Sequence, residues 1–139
     1  MKTTFILHGG FALNTIPEND AFYVEVLKHT DISVKILLVY FAKEEDRILK
    51  NKAEDITQFE KNKGGKELSF EVASEKDFPE QVRWADVVYL HGGRTTKILP
   101  VLAKFPSLKE IFEGKIVVGD SAGANVLSVY LINFPGGFG

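Results

Sequence analysis

A chain of 139 residues, 45% hydrophobic and 26% charged, has the size and balance of one globular domain. A net charge of −2 provides no basic stripe to hold phosphate backbones, which argues against a nucleic-acid partner. There is no cysteine, hence no disulfide framework and no thiolate nucleophile, and no apolar run is long enough to span a bilayer, so a cytoplasmic setting with no membrane partner is the default expectation.

The predicted elements alternate in type. Thr3–Leu7 reads as a short strand ended by His8-Gly9-Gly10, and beyond Pro17 the run ENDAFYVEVLKH sets Phe22, Val26 and Leu27 on one helical face. Val34–Ala42 is a continuous apolar run, as in a strand covered on both faces. The charged stretch Lys43–Lys63 carries Ile48, Ala53, Ile56 and Phe59 at helical spacing and ends at KGGK. ELSFEVA alternates like an edge or half-buried strand, and Asp86–Gly93 is a second strand followed by a glycine pair. Two helical pieces follow, the first expected to kink or divide at Pro100, and KIVVGD is the last strand.

This order predicts an α/β fold with a mainly parallel sheet sandwiched by helices. Ligands of such sheets gather beyond the carboxyl ends of the strands. Three strands end in unusual residues, His8-Gly9-Gly10, His91-Gly92-Gly93 and Gly119-Asp120-Ser121, so all are expected on one rim.

Gly119-Asp120-Ser121-Ala122-Gly123 fits G-x-S-x-G between a strand and a helix, the context in which that motif exposes a nucleophile on a sharp turn. Its bland reading is a helix-capping serine with small residues kept for packing. Taken together, YLHGGRTTKILPVL and GKIVVGDSAGANVLS resemble peptidase family S51, which includes dipeptidase E and cyanophycinase. GDSAGAN is the strongest match, and HGGRT stands in place of the family's Gly-Gly-Asn-type loop. The resemblance implies a class I glutamine amidotransferase-like, flavodoxin-like three-layer fold. It also implies a serine peptidase acting on a small peptide substrate without a cofactor, with Ser121 as nucleophile and the N–H groups of Gly92, Gly93 and Ala122 as the oxyanion hole. In that family the histidine base follows the serine, whereas no histidine follows Ser121 here. The chain is therefore expected to be a single but incomplete domain, impaired as an enzyme. The rival expectation is an inactive α/β module that binds a ligand or partner at the same rim.

His8 and His91 end strands and are the surrogate bases to weigh, each against a plainer role at its turn. Arg94, after the second glycine pair, could clamp a substrate carboxylate, and Asn125 is a further substrate-binding candidate. Asp120 is expected to bond neighbouring backbone or to lie on the far side of the sheet. His29 is read as a solvated helix-end residue. Widely spaced histidines and the absence of cysteine disfavour a metal site. Neither glycine pair has dinucleotide spacing. The apolar run after Ser121 predicts an exposed patch of Val126, Val129, Tyr130 and Phe134, and with it a homodimer through that helix.

Overall fold

The computed structural model describes residues 2–9 and 17–127. Five strands alternate with helices along the chain: β1 (Thr4–His8), β2 (Ser33–Val39), β3 (Glu67–Val72), β4 (Val87–Leu90) and β5 (Ile116–Asp120). They form one sheet in the order β1-β5-β4-β2-β3, and every neighbouring pair is parallel. The carboxyl ends of all the strands therefore share one rim, as the alternation of elements predicts.

Helices α1 (Pro17–Lys28) and α2 (Glu45–Lys61) cover one face of the sheet. The opposite face carries α3 (Phe78–Trp84), α4 (Thr95–Leu102), α5 (Leu108–Ile111) and α6 (Ala122–Val126). Strand side chains alternate between the layers: Ile36 and Leu38 join the α1/α2 core, while Leu37 and Val39 join the other. In the first layer Tyr23, Phe59 and Tyr89 are fully buried, with Phe59 edge-on to Tyr23 at 4.9 Å and to Tyr89 at 5.6 Å. In the second, Phe78 and Phe112 fill the space between the sheet and α3–α5.

Three local expectations need correcting. Of the two outcomes expected at Pro100, a kink or a division, the division does not occur: α4 continues to Leu102, two residues beyond it. Of the apolar face expected for α2, Ile48, Ile56 and Phe59 do pack against the core, but Ala53 is exposed and Asn51, Asp55 and Gln58 are buried beside them, so the inner face is mixed. Val126 is buried in the core and does not belong to an exposed patch. Val129, Tyr130 and Phe134, and so the helix expected to form a homodimer, lie outside the described residues. Among the described residues, no helix is long and apolar enough to cross a membrane.

Candidate active site

Ser121 is the turn between β5 and α6. Its backbone angles are φ 55° and ψ −109°, and among the described residues it alone, apart from glycines, has positive φ. An L-residue rarely adopts this conformation, which costs about 1–3 kcal/mol and persists only where its surroundings impose it. Those surroundings are visible on both sides of the turn. The Ser121 N–H donates to the His8 carbonyl at 3.0 Å, and the Ser121 carbonyl accepts from the Asn125 N–H at 3.0 Å.

Close packing explains the small residues of the motif. A Cβ on Gly123 would fall 2.2 Å from the Leu90 carbonyl oxygen, so α6 can approach β4 only with glycine there. Gly92, just after β4, presses on the turn: a Cβ there would lie 3.0 Å from the Ser121 Cβ and 3.0 Å from the Asp120 carbonyl oxygen. Gly93 has φ 152° and backs onto Ala42, whose carbonyl oxygen would be 2.2 Å from any added Cβ. Gly92 is thus in direct proximity to Ser121, while Gly93 packs on Ala42.

The two histidines of the rim are each held through Nδ1 by a carboxylate. His8 and Asp120 are register partners across β1 and β5, and His8 Nδ1–H donates to Asp120 Oδ1 at 2.9 Å. His8 Nε2 lies 3.0 Å from Asn19 Oδ1, and its ring packs on Phe22 at 4.6 Å between centroids. Asp120 therefore bonds a side chain on the neighbouring strand rather than the adjacent backbone, the first of the two expectations for it, and its pairing with His8, whose ring packs on Phe22, sets it on the α1 side of the sheet, opposite α6. The two can meet because residues in register on adjacent strands point to the same face. His91 is buried, and its Nδ1–H donates to Asp55 Oδ2 at 2.8 Å. The same carboxylate oxygen accepts from the Tyr40 hydroxyl at 2.6 Å. Among the described residues the Ser121 hydroxyl hydrogen-bonds neither histidine.

Tyrosines line the same polar layer. Burial first, and the charge of Asp55 second, push the Tyr23 and Tyr40 phenols above their ordinary range. Burial does the same for Tyr89, reinforced by Tyr23 and Asp55.

The other candidates are more peripheral. Arg94 is exposed, precedes α4, and has its guanidinium 3.8 Å from Glu44. Asn125 is exposed on α6, and Ala122 is buried directly after the serine. His29 is exposed, with Glu25 at 3.8 Å. Among the described residues no group of His, Asp or Glu side chains could hold a metal ion. Asp55, Asn19 and Tyr40 were not singled out by sequence reasoning. A polar residue every third or fourth position of a charged helix reads as solvated, and nothing local marks Asp55 as buried.

Residues 15–134 match Peptidase family S51. The chain belongs to that family. Among solved structures it is similar to a peptidase from an acI-B1 actinobacterium, with 25% identity and a TM-score of 0.70 over 92% of this chain and 57% of that one. It also shares its fold with a putative peptidase E protein from Listeria monocytogenes EGD-e, at 16% identity and a TM-score of 0.62, over 94% of this chain and 67% of that one. No curated protein matches the sequence. The chain thus spans little more than half the length of the actinobacterial peptidase. The three-layer α/β architecture is shared with these neighbours, and in this chain the serine turn follows β5, between β1 and β4.

Proposed function

We propose that this chain carries the nucleophile and the oxyanion-binding loop of an S51 serine peptidase acting on a small peptide amide. The observation that carries the reading is the positive φ of Ser121 at a strand-to-helix turn. A capping serine needs no such strain, whereas a nucleophile projected from a sharp turn does. In this reading the Ser121 oxygen attacks the peptide carbonyl. The N–H groups of Gly92, Gly93 and Ala122 take the negative charge on the carbonyl oxygen, supported by the close approach of Gly92 to Ser121. The carbon–nitrogen bond then breaks, the amine leaves with a proton, and water hydrolyses the acyl-serine ester. Arg94 and Asn125, exposed around the rim, are the substrate-facing residues of the proposal.

Attack by a hydroxyl requires a base for its proton. Neither histidine bonds the Ser121 hydroxyl among the described residues, so turnover of amides by this chain is expected to be slow. The same observation favours a second reading, an inactive module that binds a ligand or partner at the rim. Incubation with aspartyl dipeptides, followed by mass spectrometry of the products, separates the two. Slow cleavage that disappears in Ser121→Ala supports the peptidase. Cleavage at equal rates in both proteins, or none alongside tight dipeptide binding, supports the binding module.

A further inference from the structure

Helix α2 turns a carboxylate inward, which is costly unless the charge is well bonded. Asp55 is fully buried, and its Oδ2 is shared by two donors from different strand ends, the Tyr40 hydroxyl at 2.6 Å and His91 Nδ1–H at 2.8 Å. Its Oδ1 is buried and has no hydrogen-bond partner among the described residues. What the carboxylate holds is the residue immediately before Gly92-Gly93. On the backbone, that segment is pinned at both sides, to the end of β2 and to the turn that follows it. The His91 N–H donates to the Val39 carbonyl at 3.0 Å, and the Arg94 N–H donates to the Ala42 carbonyl at 2.8 Å. Between these pins the glycines have no side chains of their own, so the ring of His91 is the side-chain anchor on the strand side.

We propose that Asp55 is a positioning residue: by fixing the His91 ring, with Tyr40 as second donor, it holds the Gly92–Gly93 segment against Ser121. This rests on the reading of that segment as the oxyanion loop. Oxyanion donors act only when aimed at the developing charge, and a misplacement of about 1 Å can cost on the order of 100-fold in rate. The carboxylate works here as an acceptor of two hydrogen bonds, and an amide oxygen at the same place retains that capacity.

The test compares wild type with Asp55→Ala, Asp55→Asn and His91→Phe, the last keeping a ring between Tyr40 and Tyr89. Two measurements are made on each folded protein: the amide signals of its glycines in nitrogen-15 spectra, and the initial rate at which a fluorophosphonate probe modifies Ser121. Asp55→Ala and His91→Phe should shift the Gly92 and Gly93 signals, leave those of the remote turn glycines Gly64 and Gly114 in place, and slow modification at least tenfold. Asp55→Asn should stay within about threefold of wild type, because one acceptor oxygen suffices for both donors. Unmoved Gly92 and Gly93 signals in folded His91→Phe would overturn the proposal, as would an Asp55→Asn protein no faster than Asp55→Ala. Should Asp55→Ala fail to fold, His91→Phe decides by itself. A wild-type protein that takes no label contradicts the nucleophile reading, and the glycine signals alone then decide the tether.

Discussion

Gly92 and Ser121 come from neighbouring strands and meet so closely that a methyl group on the glycine would stand 3.0 Å from the serine Cβ. That contact, and the equally close one to the Asp120 carbonyl oxygen, are tighter than ordinary packing but call for shifts of only a few tenths of an ångström. Gly92→Ala should therefore fold with a loss of about 1 kcal/mol, while modification of Ser121 by an acylating reagent slows severalfold. Gly123→Ala is a harsher change, because the added carbon meets the Leu90 backbone at 2.2 Å. It should cost about 3 kcal/mol or more, measured by denaturant unfolding. Equal stability of the two variants would contradict the packing described here.

The strain at Ser121 yields a separate prediction about stability. Alanine keeps a Cβ in the same unfavourable conformation, whereas glycine adopts positive φ freely at some cost in chain entropy. Ser121→Gly should exceed Ser121→Ala in unfolding free energy by about 1 kcal/mol, with both unreactive toward the probe. If Ser121→Ala is instead the more stable, the turn is not strained as its backbone angles indicate.

Alkaline unfolding should report the polar layer beneath the site. Tyr23, Tyr40 and Tyr89 have phenols raised above the ordinary value of 10.0, each chiefly by burial. The folded chain therefore keeps protons that the unfolded chain releases near that value. Their contribution to stability is fully present below about pH 10 and is lost as pH rises toward the folded-state values. Phenolate absorbance from these residues should appear together with loss of circular dichroism, in one steep transition. Titration of all three while the fold stays intact would show that they are not buried as described.

Much of the architecture is legible in local sequence pattern. The continuous apolar run at β2 and the strand-then-glycine units at β4 and β5 announce buried parallel strands, and with them a common rim for His8, His91 and Ser121. Gly-x-Ser-x-Gly marks the turn because close helix–strand packing excludes larger residues at Gly123. The carboxylates behind the histidines were not legible. Asp120 and His8 pair only because β1 lies beside β5, a strand order that periodicity does not contain. Asp55 sits in a helix whose inner face mixes Ile48, Ile56 and Phe59 with buried Asn51, Asp55 and Gln58, so apolar spacing finds the helix but not the buried carboxylate. Its partner His91 is 36 residues away, and only the tertiary fold joins them.

The central claim, that Ser121 is the nucleophile of an S51 peptidase site, is tested most directly by covalent labelling. The wild-type protein is incubated with a fluorophosphonate, digested, and mapped by mass spectrometry. A single adduct on Ser121, absent from folded Ser121→Ala and from wild type denatured beforehand, is the predicted result. Folded protein that takes no adduct at Ser121, or is labelled equally on other serines, would contradict the account.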